Sequence, residues 1–274
     1  MRGSKWQIRA VLADGISYAA ILAMLAFFLF PVLYMMLISV RPVVDMTSLW
    51  SNHFTLNAYK EIFSRYNFGV YLWNSVLVSL GTVSLLLAFG LLTAYIISRF
   101  NMTRTLLGIM IFRAAPPVGF LLPFFLMFNW LRLLDTHASL IISHFVRLLP
   151  LFIWLMVGYF REIPRELDEA AMVDGCSRAQ ALFRVLLPSV TPGLVATTII
   201  SFILSWNDLL YALVLTGVKN KTLPVAVNGL LGYASTSWDL LTAGATIATI
   251  PVLVFGVLIQ KYLVRGLTAG AVKG

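Results

Sequence analysis

The sequence predicts an all-α polytopic membrane protein with six transmembrane helices and both termini cytoplasmic. Three observations carry this. Of 274 residues, 60% are hydrophobic and only 11% are charged, against about 25% charged in a soluble domain. The apolar residues collect in six runs with almost no charge, each long enough at about 1.5 Å per residue to cross about 30 Å of hydrocarbon. The Lys and Arg residues between those runs fall mainly on one side. A soluble surface of this size needs far more charge. The same composition excludes disordered, collagen-like and disulfide-rich chains. The alternating short segments of a transmembrane barrel are absent.

Residues 1–14 form a basic leader with no small-residue cleavage site ahead of a soluble domain, so the first run reads as an uncleaved span. That span is Gly15–Val40, closed by Arg41-Pro42. The external segment Arg41–Tyr66 is polar and aromatic and has room for a short surface helix. The second span is Asn67–Ser98, closed by Arg99. The third, Thr105–Leu131, is interrupted by Arg113, which Pro116-Pro117 follows. The fourth, Ala138–Phe160, holds Arg147. A cytoplasmic loop covers residues 161–188. The fifth span is the first part of the long run Val185–Val218, which contains Asp208. The sixth is Leu240–Gln260, within a membrane domain of residues 15–265, followed by a cytoplasmic tail, residues 266–274.

The net charge of +9 follows this topology. Arg2, Lys5, Arg9, Arg99, Arg104, Arg161, Arg165, Arg178, Arg184, Lys261, Arg265 and Lys273 make twelve basic residues on one face, against six on the other (Arg41, Lys60, Arg65, Arg132, Lys219, Lys221). The positive-inside rule makes the richer face cytoplasmic, and the excess implies membrane lipid, not nucleic acid, as its neighbour.

The loop from Phe160 to Pro188 is the most informative stretch. Five of the eleven acidic residues sit there: Glu162, Glu166, Asp168, Glu169 and Asp174. Pro164 suits a first helical turn, and acids there favour the positive end of the helix dipole. Leu167, Ala170, Ala171 and Asp174 fall on one helical face. Gly175 is placed to end the helix, and Ser177 with Gln180 reads as a capping box opening a second one that runs to Leu187. The plain reading is a solvated amphipathic loop; the alternative is a knob that docks into a partner's cleft.

The pattern Glu169-Ala170-Ala171, three residues, Gly175, nine residues, Val185, one residue, Leu187-Pro188 resembles the EAA loop of ABC-importer permeases, with Val185 standing for Ile. The tail from Gly266, GLTAGAVKG, and the Trp206-Asn207-Asp208 stretch are similar to those of maltose-type carbohydrate permeases. The resemblance implies the type I importer permease fold and a pair of such subunits, here a heterodimer with a second, homologous permease. It implies a dimeric cytoplasmic ATPase that docks on the loop, and an extracytoplasmic binding protein. Glu169 then contacts the ATPase, Ala170, Ala171 and Gly175 permit close packing, Asp174 lies alongside, and Leu187-Pro188 closes the loop. The Gly270, Lys273 and Gly274 end reaches the ATPase as well. The chain has no phosphate-cradling G-x-x-x-x-G-K-[ST] motif. ATP and Mg therefore belong to the partner, no cofactor is expected on this chain, and it is a transport subunit of the inner or plasma membrane, not an enzyme.

Charges at membrane depth are costly and face a cavity or a partner. Arg113 and Arg147 are each either structural or part of a solute path; the sequence does not show whether they share a face. Trp206, Asn207 and Asp208 lie towards the outer part of the fifth span, and an indole beside an amide and a carboxylate suits a sugar, although Trp206 also suits an interfacial anchor. Asn129-Trp130 reads as interface. His137 and His144 have no third ligand for a metal, and Cys176, the single cysteine, allows no internal disulfide. No nucleophile–base motif of an intramembrane hydrolase occurs, and a passive channel needs no docking loop. The solute stays open among sugars, polyols, polar or anionic glycosides and glycerol phosphodiesters.

Overall fold

The structure, a computed structural model, describes residues 2–42, 53–231 and 237–271, with side chains over 15–42, 53–231 and 237–261. Among the described residues every regular element is helical. In chain order these are α1 (Arg2–Ile38), α2 (Asn57–Ser64), α3 (Phe68–Leu85), α4 (Leu91–Arg99), α5 (Thr103–Ala114), α6 (Leu121–Trp130), α7 (His137–Glu162), α8 (Glu166–Val173), α9 (Arg178–Ala181), α10 (Leu187–Ser189), α11 (Thr191–Trp206), α12 (Leu210–Leu215), α13 (Leu223–Asn228) and α14 (Trp238–Ala271). π-Helical turns at Leu86–Gly90 and Leu182–Leu186 join α3 to α4 and α9 to α10. Packing divides the chain into two units, residues 1–66 with 230–247 and residues 67–229 with 248–274.

In the first unit, α1 presents apolar side chains such as Ile16, Phe27, Phe28 and Phe30 outward, which is stable only against lipid or another helix. Its C-terminal end is tied back: the Thr55 N–H donates to the Val40 carbonyl at 2.7 Å, and the Ser39 and Tyr59 hydroxyls lie 2.8 Å apart. The short surface helix expected between the first two spans is α2, amphipathic, with Ala58 and Ile62 turned inward.

In the second unit α3, α4, α7 and α11 pack together. Small hydroxyls (Ser75, Ser79 and Thr82 on α3; Thr197, Ser201 and Ser205 on α11) are buried, so the backbones can approach closely. Gly193 on α11 is the tightest point: a Cβ there would meet the Tyr159 ring of α7 at 2.3 Å. One apolar cluster gathers Leu86, Tyr95, Phe152, Met156, Phe160 and Leu186; a second gathers Val78, Phe128, Leu140, Tyr211 and Leu215.

Four helical stretches are long and apolar enough to cross a membrane alone: Gly15–Ile38, Phe68–Arg99, His137–Glu162 and Trp238–Lys261. The structure corrects the third and fifth spans, which the sequence reading treats as continuous. Thr103–Ala114 and Pro117–Trp130 meet at 90°. Ala115 and Pro116 are extended there, with ψ 137° and 135°. The first proline disfavours helix in the residue before it, and both remove a backbone donor. Arg178–Ser189 and Thr191–Trp206 meet at 83° around Val190, between Pro188 and Pro192. Counting each bent pair as one crossing brings the number to six. The run Val185–Val218 is also shorter as a helix than its hydropathy implies: α11 ends at Trp206, and the chain turns through Asn207 to Leu209 before α12.

Candidate functional site

The acidic loop folds as a helix–turn–helix. Its first helix starts at Glu166, two residues later than Pro164 implies, and the Pro164 carbonyl accepts the Leu167 N–H at 3.4 Å. At its end the Cys176 N–H reaches the Ala171 carbonyl at 3.0 Å and the Gly175 N–H reaches Met172 at 3.1 Å. This Schellman closure needs a left-handed residue, and Gly175 supplies it with φ +86°. The capping box is formed: the Gln180 N–H donates to Ser177 Oγ at 3.3 Å, and the Ser177 N–H to Gln180 Oε1 at 2.8 Å. The second helix does not run on to Leu187 as a regular α-helix. It passes through the π-turn Leu182–Leu186, with Leu187 half-buried and Pro188 exposed.

The face assignment within α8 changes. Asp168 and Ala171, three residues apart, are the buried pair, whereas Leu167, Glu169, Ala170, Asp174 and Gly175 are exposed. Ala171 therefore packs against its own chain, and its small size lets α8 lie close to the bundle. Val173, 87% exposed, adds an apolar spot among the acids.

Sequence reasoning missed what holds the loop. Arg99, the last residue of α4, forms an ion pair with Asp168 at 2.5 Å. It also donates to the carbonyls of Phe160 and Ile163 at 3.0 and 3.2 Å, where α7 ends. One guanidinium thus joins α4, α7 and α8. Arg165 donates to Asn101 Oδ1 at 2.6 Å, Arg161 to Thr103 Oγ1 at 3.4 Å, and Arg178 stacks over the Phe100 ring at 5.2 Å. The loop is therefore pinned to the turn between α4 and α5. Burial pushes the Asp168 carboxyl above its ordinary value of 3.8, outweighing the opposite pull of Arg99, Arg165 and Arg178. Dehydrating a buried pair can exceed its Coulomb gain. The available signal in sequence was Arg99 closing the second apolar run, but nothing there named Asp168 as its partner.

A second cluster lies at the other functional candidates. Arg147 Nη2 pairs with Asp208 Oδ2 at 3.1 Å and donates to the Leu204 carbonyl at 3.2 Å. His144, one turn before Arg147 on α7, points Nε2 at Asp208 Oδ1 at 3.3 Å and Nδ1 at Ser205 Oγ at 2.8 Å. The Tyr211 N–H donates to Asp208 Oδ1 at 3.0 Å, its hydroxyl to the Pro117 carbonyl at 3.0 Å, and its ring lies 5.6 Å from the Arg147 guanidinium carbon. Asp208 thus joins α7 to the turn before α12. Beside it opens a cleft of about 210 Å³ lined in part by Phe112, Arg113, Phe120, Phe124, Arg147 and Tyr211. The two intramembrane arginines, which the sequence could not place on one face, line this one cleft.

The remaining candidates divide. Trp206 is buried, donates from Nε1 to the Ala248 carbonyl at 3.0 Å and stacks on Phe202 at 5.8 Å. Its indole is engaged in packing between α11 and α14. Asn207 is exposed at the end of α11. His137 pairs with Asn74 at 2.8 Å, so the two histidines serve different contacts; among the described residues no group of three or more His, Cys, Asp or Glu is placed to hold a metal. Gly270 lies on the backbone of α14, without a described environment, and Lys273 and Gly274 lie outside the described residues.

Comparison with known proteins places this geometry. The profile of the binding-protein-dependent transport system inner membrane component matches residues 86–269. The trehalose transport system permease protein SugB of Mycobacterium tuberculosis is 36% identical over 254 residues, covering 90% of this chain and 93% of that one. The sulfoquinovosyl glycerol transport system permease protein SmoH of Agrobacterium fabrum is 33% identical over 254 residues, covering 90% and 89%. A chain from the crystal structure of a bacterial ABC transporter that imports the acidic polysaccharide alginate shares the fold, with TM-score 0.74, 24% identity and coverage of 93% of this chain and 98% of that one. The chain belongs to the family of binding-protein-dependent transport system inner membrane components, the membrane-spanning permeases of ABC importers.

Proposed function

We propose that this chain is one of two membrane subunits of an ATP-driven importer for a sugar or sugar-like solute. Family membership supports the transport role, and the printed solutes of its relatives support the sugar class. In this reading each bent helix pair is one crossing, the chain spans the inner membrane six times, and both termini are cytoplasmic; the twofold excess of Lys and Arg on that side supports the orientation. A second, homologous permease completes the pore. A binding protein delivers solute from outside, and a dimeric ATPase holds ATP and Mg.

The observation that carries the coupling role is the pinned loop. Glu169, Ala170, Asp174 and Gly175 face outward on a helix that Arg99 ties to both α4 and α7. A push on α8 is then transmitted to two spans at once, and alternating access follows as a rigid-body rocking of the bundle. Leu187 and Pro188 lie at the bend into α11, where that motion enters the fifth span. Asn207 and Asp208, with Arg113 and Arg147, form the proposed solute path.

The test is reconstitution with the partner subunits in liposomes. ATP-driven uptake of binding-protein-delivered saccharide is expected, and Glu169→Lys and Gly175→Trp should each reduce it about tenfold or more while insertion and assembly hold. Wild-type uptake by both variants removes the docking role of the loop.

A further inference from the structure

The charges around the cleft do not cancel. The nearest carboxylate, Asp208, lies behind the cleft wall and is engaged by Arg147, His144 and the Tyr211 N–H. Arg147 is neutralised by it. Arg113, on α5 one turn from the Pro116 break, lines the same cleft, is exposed, and makes no hydrogen bond or ion pair among the described residues. The cleft therefore carries one uncompensated positive charge at membrane depth, a costly arrangement that is sustained by water or by an anion. Its walls are aromatic: Phe112, Phe120, Phe124 and Tyr211. Phe112 and Phe120 hold ring centroids 5.0 Å apart, Phe124 and Tyr211 6.0 Å.

A guanidinium forks two N–H groups onto a carboxylate, sulfonate or phosphate with a geometry that a neutral hydroxyl does not match. Aromatic faces pack against the C–H face of a pyranose ring. The volume of about 210 Å³ is below the roughly 300 Å³ of a site for a whole drug-sized ligand, so it holds a single charged sugar unit. We infer that this cleft is a subsite for an anionic sugar residue, with Arg113 as the residue that selects the charge. The inference rests on the import reading and narrows its solute class.

The probes are glucuronate, glucose 6-sulfate and glucose, measured by calorimetry on the detergent-purified complex of this chain with its partner permease and ATPase, without binding protein. Wild type is expected to take the two anions about tenfold or more tighter than glucose. Arg113→Gln should bring the anions to parity with glucose, and Arg113→Lys, a point charge without the fork, should fall between. Glucose bound as well as glucuronate by the wild type, no binding of any probe, or an unchanged preference in Arg113→Gln overturns the inference. The wild-type comparison stands even where a variant fails to assemble. ATP-driven uptake of saccharide together with wild-type binding that shows no preference for glucuronate over glucose leaves the import reading intact and removes the anion subsite. Absence of ATP-driven uptake for every saccharide removes the import reading itself.

Discussion

Replacing Arg99 with Met isolates the clamp beneath the cytoplasmic loop. Met keeps much of the hydrocarbon stem but leaves the Asp168 carboxyl without its ion-pair partner and frees the Phe160 and Ile163 carbonyls. The carboxyl then stays ionised alone or takes a proton. Protonating a carboxyl of ordinary pKa 3.8 at pH 7 costs about 4 kcal/mol, at roughly 1.4 kcal/mol per pH unit, which is the ceiling on this part. Burial already pushes Asp168 upward in the wild type, so part of that cost is present before the change. With the lost carbonyl bonds included, α8 is destabilised by about 3 kcal/mol, and its locally open population rises roughly 150-fold. Hydrogen–deuterium exchange of peptides covering residues 163–176 in lipid nanodiscs reads this directly. A carboxyl whose folded pKa is raised contributes most below 3.8 and loses that contribution as pH rises through the folded value. The variant moves further in this direction, so lowering pH from 7 to 5 recovers up to about 2.7 kcal/mol of its deficit. Arg99→Met with Asp168→Leu, which removes both charges and leaves only the two lost carbonyl bonds, should exchange at a rate between wild type and Arg99→Met. Exchange in Arg99→Met within about threefold of wild type at pH 7, or a gap that does not narrow at pH 5, shows that Asp168 does not depend on Arg99.

Gly193→Ala forces a methyl into the Tyr159 ring and should cost about 1–3 kcal/mol, seen as a lower unfolding temperature in detergent; adding Tyr159→Leu should recover part of it. At Asp135, burial raises the carboxyl, but backbone N–H groups of Gly217, Asn220 and Lys219 outweigh it and hold it below 3.8. Its contribution is therefore present above 3.8 and lost as pH falls through the depressed value. Asp135→Ala should cost about 1–3 kcal/mol, constant between pH 5 and 8, with a deficit that closes only below 3.8; a deficit that varies across pH 5 to 8 shows another titrating group. Trp206→Phe removes the bond to the Ala248 carbonyl and should lower stability by about 1 kcal/mol while leaving the concentration dependence of uptake unchanged. A changed KM for solute returns the indole to the pathway.

Features written in short spacing were legible. Ser177 and Gln180 form the capping box that their spacing implies, and Gly175 ends α8 as a helix-stopping glycine should. Hydropathy located the apolar runs because lipid imposes its thickness on each one. Chain direction within a run was not legible: Pro116 and Val190 turn their helices by 90° and 83°, and hydropathy counts apolar residues without registering a bend. Contacts between distant residues were out of reach for a different reason. Arg147 and Asp208 are 61 positions apart and Arg99 and Asp168 are 69 apart, and no local rule pairs them. His144 was weighed as a metal ligand, whereas its neighbours are Ser205 and Asp208. Trp206 illustrates the limit of residue chemistry alone, since one indole suits stacking on a sugar and stacking on Phe202 equally well.

The π-turn at Leu86–Gly90 gives Arg99 its aim. A π-turn spreads one turn over one residue more than the α-helix around it, so the surplus residue is absorbed there instead of rotating all that follows by the roughly 100° per residue of an α-helix. Arg99 lies nine residues beyond Gly90, so its azimuth around the second span is set by a surplus residue more than two turns upstream. Deleting one residue within 86–90 would keep that aim, whereas tightening 86–90 into a regular α-turn with no residue removed would leave a helix of almost the same length and hydropathy in which Arg99 points about a quarter turn away from Asp168 and the end of α7. The membrane would still accept such a helix, and the mechanical linkage to the loop would be out of phase.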